Sequence, residues 1–166
     1  MTGVQTCALP IITQRGNTGI FQEMTARPAK AFPDALGKKP KPIKIVPVDD
    51  KLVLKDKSME VVVYRAINNS HMANGVFAYV PGAKIVAQGD LVDEGWDIVW
   101  WGNSYPDSVA YWKLDVEKDL AVHGNMHTYA EALDQLRKQT KNAQDLCEHV
   151  EKSHLSMQGC PVSNTF

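Results

Sequence analysis
His71, Asp90 and His123 each stand beside a segment that reads as a β-strand. His71 precedes a strand beginning near Gly75, Asp90 closes one over residues 84–89, and His123 closes one over 120–122. Neutral imidazole and carboxylate are zinc ligands, and zinc lowers the pKa of a bound water toward about 7. Such a set could supply hydroxide at neutral pH for attack on an acyl or phosphoryl centre. Singly the residues say little: a loop histidine is usually a polar surface residue, and an aspartate after a glycine often caps a turn. Their order and spacing together carry the reading.

The elements that must position them follow from periodicity and turn chemistry. Residues 52–54 are short and apolar, Asp56-Lys57-Ser58 is a turn, and residues 59–66 are rich in valine. Residues 75–80 and 84–88 flank Pro81-Gly82-Ala83, a hairpin signal. A turn centred on Gly82 sets Asp90 opposite Asn74 and leaves His71 a short curl of its loop away. Ile20, Phe21 and Met24 recur at helical spacing over residues 16–26, and Pro28 stops the run. Pro106 suits the first turn of a helix reaching Val116. Thr128 and Glu131 fit a capping box, in which each side chain satisfies the other's free backbone N–H. Behind it Ala132, Leu133, Leu136, Ala143, Leu146, Cys147 and Val150 recur at helical spacing, the clearest helix in the chain. Residues 154–166 read as an irregular tail. The expected class is mixed α/β (α+β), with mostly antiparallel strands in the middle and helices flanking them.

Composition narrows the function classes. At about 150 residues per domain, the 166-residue chain is expected to form one domain. Its 18 Lys and Arg against 19 Asp and Glu argue against nucleic acid as the main partner, because phosphate binding needs a basic surface. The same balance gives no reason to expect a membrane surface. No apolar run approaches the roughly 18 residues of a membrane span. Hydrophobic residues at 44% and charged residues at 22% exclude wholesale disorder. Lys38, Lys39, Lys41 and Lys44 form a basic run, but Pro33, Pro40 and Pro42 interrupt it and no aromatics interleave it, so it reads as a solvated loop. The cysteines match neither a disulfide scaffold nor a zinc finger.

Residues 1–11, MTGVQTCALPI, resemble the in-frame translation of a short-read sequencing adapter and are set aside as non-native. Cys7 falls in that run, which leaves Cys147 and Cys160. Cys147 lies on the apolar helix face and reads as a buried, inert thiol, although a bond to Cys160 stays open on spacing.

Asn69-Ser70-His71, residues 75–82 and residues 84–91, ending Gln88-Gly89-Asp90-Leu91, resemble the central stretch of metallo-β-lactamase-fold hydrolases. Residues 120–124, ending His123-Gly124, with the Thr-capped helix behind them, resemble that family's last metal motif. The resemblance covers residues 12–146. Residues 32–36 and 48–51 are also similar to a bacterial branch of the same fold. The resemblance implies an αββα sandwich, of which residues 12–153 would form the C-terminal half. It implies zinc, one or two ions, and a small-molecule substrate. Matched by position, His71 corresponds to a histidine of the first zinc site, Asp90 to the carboxylate that bridges two metals or serves the second, and His123 to the histidine of the second site. Val122 departs from the family, which usually has glycine before that last histidine. The family's H-x-H-x-D-H occurs nowhere in the chain, so the resemblance implies a parent in which it lies upstream of residue 12.

Other residues remain open. His127 either supports a ligand from behind or decorates a helix N-terminus. His149 and His154 read as solvent-facing. Trp96, Trp100 and Trp101 border the substrate pocket or pack a short amphipathic segment. Asp93 and Glu94 resemble acid or base groups without a motif to place them. Two functions are expected to compete: a zinc-dependent hydrolase whose full activity belongs to the longer parent, and a non-catalytic scaffold or binding module of the same fold.

Overall fold
The computed structural model describes residues 10–26, 38 and 44–152. The chain divides into two compact units, one ending at Asp50 and the other starting at Lys51.

In the first unit, β1 (Ile11–Gln14) pairs in parallel with β2 (Ile45–Val48), with Ile11 opposite Ile45. Ile11, last residue of the adapter-like run, is thus part of a strand. A 3₁₀ turn (Arg15–Asn17) leads into α1 (Thr18–Ala26). The Arg15 guanidinium clasps both oxygens of Asp49, at 2.5 and 2.8 Å. Residues 32–36, part of the bacterial-branch resemblance, and Lys39 and Lys41 of the basic run lie outside the described residues.

The second unit is built on a six-stranded sheet in the order β3-β4-β5-β6-β7-β8. The strands are β3 (Lys51–Lys55), β4 (Glu60–Arg65), β5 (Val76–Val80), β6 (Ile85–Gln88), β7 (Lys118–Ala121) and β8 (Met126–Thr128). All neighbouring pairs are antiparallel except β6 and β7. The helices are α2 (Ser104–Trp112) and α3 (Tyr129–Lys152). Alternation in β5 and β6 turns Phe77, Tyr79 and Val86 into a core shared with Leu91, Tyr105 and Leu136. Burying a side chain such as Val86 or Leu136 stabilises by roughly 1.5–3 kcal/mol.

Several expectations shift by a residue or more. The β5–β6 turn is a 3₁₀ turn over Pro81–Ala83 closed by Lys84 in the left-handed region, φ 53°. Its loop therefore holds four residues, and Val80 pairs with Ile85. This is one residue out from a turn centred on Gly82, so the continued register sets Asp90 across from Gly75, not Asn74. The helix expected to reach Val116 ends at Trp112, because Lys113 turns left-handed at φ 54°. The Lys113 and Leu114 N–H groups fold back onto Ala110 O and Val109 O, a Schellman closure.

Strands β1, β2 and β8 were not foreseen, and β7 runs over residues 118–121 instead of 120–122. In β7 the usual pattern is inverted: Asp119 is fully buried and Leu120 is 41% exposed. The buried face of α3 is Ala132, Leu136, Gln139, Thr140, Ala143 and Cys147, while Leu146 is 38% exposed. Cys147 is buried but disulfide-bonded, not a free thiol; its suggested pairing with Cys160, like the tail at residues 154–166, lies outside the described residues.

Candidate metal centre
The parallel pairing of β6 with β7 brings the C-terminal ends of both strands to one edge of the sheet, and Val122 N extends it by donating to Gln88 O. Asp90 follows β6 and His123 follows β7, so both emerge there. Strand β5 runs the other way, so the loop before it, carrying His71, reaches the same edge. Ligand sites favour such C-terminal edges because loops from neighbouring strands converge on them.

The loop bearing His71 is pinned locally. The Asn69 carboxamide oxygen accepts from His71 N at 2.9 Å, and Asn68 and Asn74 take positive φ, 51° and 60°, which asparagine tolerates better than most residues. Ser104 Oγ of α2 donates to Ile67 O, and Ser108 Oγ accepts from Ile67 N. Gly75 fits closely under Met72, whose Cβ would stand 3.2 Å from an added β-carbon.

Asp90 is held by its neighbours on either side. Gln88, 3% exposed, accepts from Leu91 N and Val92 N and donates to Val92 O and to the buried Asp119 carboxylate. This one amide closes the turn that presents Asp90, with Leu91 and Val92 buried beneath it. Trp101 Nε1 donates to Asp90 O at 2.8 Å. The Trp101 ring also stacks on the His71 imidazole, centroids 4.0 Å apart and 11° from parallel, and Trp96 meets both rings edge-on.

The donor atoms converge. His71 Nε2 lies 3.5 Å from Asp90 Oδ2, and His123 Nε2 lies 3.4 Å from Asp90 Oδ1. Both are longer than the usual hydrogen-bond range of about 2.7–3.2 Å. Two ligands about 2.0–2.1 Å from one tetrahedral ion stand about 3.3 Å apart, so these spacings fit metal donors. Asp90 offers one oxygen to each histidine, the disposition a bridging carboxylate needs. Asp93, Asp90 and His123 also present donor atoms within 4.8 Å of one another. His71 and Asp90 are about one-third exposed and His123 is more open, so the donor group is reached from solvent.

The remaining candidates separate. Asp93, which no motif placed, joins the donor group. Trp96 and Trp101 lie at His71, whereas Trp100 packs against the core. His127 is on β8 opposite Asp119, not on a helix, and its Nε2 contacts Glu94 Oε1. His149 is exposed on α3, and His154 lies outside the described residues. The Asn125 N–H, the His127 ring and the Asn125 carboxamide together hold the Glu94 carboxyl below its ordinary range. Sequence raised Trp101 as a pocket or packing residue and Asp93 as an acid or base group but gave Gln88 no role of its own, and what each does here is set by a neighbour brought in by the fold.

No protein-family model matches the chain, and no curated protein matches it. Solved structures do. A metallo-β-lactamase from Pontibacter korlensis superposes with a TM-score of 0.51 at 16% identity, over 79% of this chain and 59% of its own. The flavodiiron protein of Giardia intestinalis gives 0.55 at 13% identity, over 80% and 36%. The rubredoxin oxygen:oxidoreductase of the anaerobe Desulfovibrio gigas gives 0.54 at 10% identity, over 81% and 37%. The chain therefore spans between about a third and three-fifths of the length of these proteins.

Proposed function
The chain carries part of the metallo-β-lactamase fold, and from that premise we propose that it is the C-terminal portion of a zinc-dependent hydrolase acting on a small-molecule acyl or phosphoryl substrate. The observation that carries this is the pair of His–Asp90 spacings, 3.5 and 3.4 Å, one to each carboxylate oxygen. His71, Asp90 and His123 would hold metal, with Asp93 beside Asp90 and His123. When bound, zinc supplies Lewis acidity and acidifies a water toward neutral pH. The protein's own part is placement. Gln88 and Trp101 fix Asp90, Trp101 faces off the His71 ring, and the half-exposed Trp96 meets that ring edge-on. Stacking keeps the imidazole plane from rotating, so its Nε2 stays aimed at Asp90.

Zinc content by atomic spectroscopy tests the reading, on the chain itself and on Asp90→Ala. The chain is expected to take up zinc weakly, because its own residues supply only part of two full sites. Asp90→Ala should abolish uptake, since both histidines lose their shared partner. Equal zinc content in the two would leave the scaffold as the better reading. Retention of iron in preference to zinc would move it toward the chemistry named for the flavodiiron neighbours.

A further inference from the structure
Outside the donor group, a polar cluster gathers around Glu94. We propose that Glu94 is a positioning residue that latches the turn carrying His123, and that Gly124 is the gap into which the latch closes. The proposal rests on reading His123 as a metal ligand. Glu94 touches this turn on both sides of Gly124. Its backbone N donates to His123 O at 3.2 Å. Its Oε1 accepts from Asn125 N at 2.7 Å and also contacts His127 Nε2, and its Oε2 accepts from Asn125 Nδ2 at 3.2 Å. A β-carbon on Gly124 would lie 2.6 Å from Glu94 Oε1, 2.8 Å from Cδ and 3.0 Å from Cγ. No side chain fits there while Glu94 keeps its place.

The latch has a fixed base. Gln139 Nε2 of α3 donates to Asp93 O and Trp96 O, and Asn142 Nδ2 donates to Asp97 O. Asp93 Oδ1 accepts from Gly95 N. The segment carrying Glu94 is therefore tied to the long helix, and Glu94 ties the His123 turn to that segment. Asp93 and His123 are ordered relative to one another before any ion arrives. A donor set ordered in advance loses less entropy on binding, which raises affinity without a new contact to the metal.

The experiment uses the full chain and two readouts: zinc affinity by competition with a chromophoric chelator, and amide hydrogen exchange at Asn125 in the metal-free protein, read against Val86 in the core. Glu94→Ala should weaken zinc binding by about 10–100-fold and speed exchange at Asn125 while Val86 stays protected. Glu94→Gln keeps an acceptor for the Asn125 N–H and should keep most of both properties. Gly124→Ala should evict Glu94 and reproduce the loss seen in Glu94→Ala, and the double variant should be no worse than either. Unchanged Asn125 exchange in Glu94→Ala would overturn the latch, as would equal acceleration at Val86, which marks general destabilisation. Losses that multiply in the double variant, or Glu94→Gln as impaired as Glu94→Ala, would overturn it too. If the parent chain binds no zinc, the metal reading fails and the exchange measurements still decide the latch.

Discussion

Asp119 is a carboxyl placed where a strand should carry an apolar side chain, and its cost is offset by what it holds. Burial pushes its pKa above the ordinary carboxylate range, with Tyr105 and Gln88 pulling part of the way back. An acid whose folded pKa is raised binds its proton more tightly when folded. Stability is therefore highest below the ordinary carboxylate range and falls as pH rises through the window up to the raised value. Asp119→Asn keeps an acceptor for Gln88 Nε2 and removes the charge. Urea unfolding across a pH series should show the parent losing stability relative to Asp119→Asn as pH rises through that window. Parallel pH profiles would mean that the carboxyl carries no burial penalty. Asp119 also steadies the Gln88 amide, which in turn closes the Asp90 turn, so a residue outside the donor group reaches it through two successive hydrogen bonds.

Among the elements, α3 anchors the segment that carries Asp93 and Glu94, and its start is set by a reciprocal cap. Thr128 N and Oγ1 both reach Glu131 Oε2 at 2.8 Å, and Glu131 N donates back to Thr128 Oγ1 at 3.2 Å. Thr128 also ends β8, so the cap joins a strand to a helix without a spacer. Thr128→Ala should lower stability by about 1 kcal/mol, read as a shift in the urea midpoint with an unchanged slope. An unchanged midpoint would show that the helix does not depend on this cap. The capping box was legible because it is local, with donor and acceptor three residues apart. Strand β8 was not, because three residues with Met126 and Thr128 exposed leave no apolar alternation to read. It forms because β7 offers it a partner edge.

At the scale of the whole molecule, the proposal concerns a longer protein. Extending the chain upstream with its native reading frame should give tight zinc binding and hydrolysis of an ester, lactone or phosphodiester panel. In that protein Asp90→Ala should cut turnover far more than His127→Ala. Loss of Asp90 would remove the negatively charged donor that lies toward both His71 and His123 and would help to hold metal there. His127 touches Glu94 instead of a donor, so its loss should cost at most about 10–100-fold. Metal content and turnover measured together decide the matter: an extended protein with neither would retire the hydrolase, and intact turnover in Asp90→Ala would retire Asp90 from its role.

The sequence by itself determined what is local or nearly so. Valine-rich and alternating runs defined β4, β5 and β6, Pro81-Gly82 the turn between the latter two, and Thr128 with Glu131 the start of the long helix. It also put His71, Asp90 and His123 in order, because each follows or precedes an element with a readable end. What tertiary structure decided is everything that depends on chains far apart in sequence meeting. A left-handed Lys84 moved the hairpin register by one residue, a choice that φ at a single position makes and composition does not announce. The parallel pairing of β6 with β7 brought Asp90 and His123 to one edge across thirty-odd residues. Trp101 found both His71 and Asp90, and Glu94 found the His123 turn, through contacts that only a closed core creates. Side-chain chemistry names the candidates for a site, but separations of 3.4 and 3.5 Å between their atoms come only from packing.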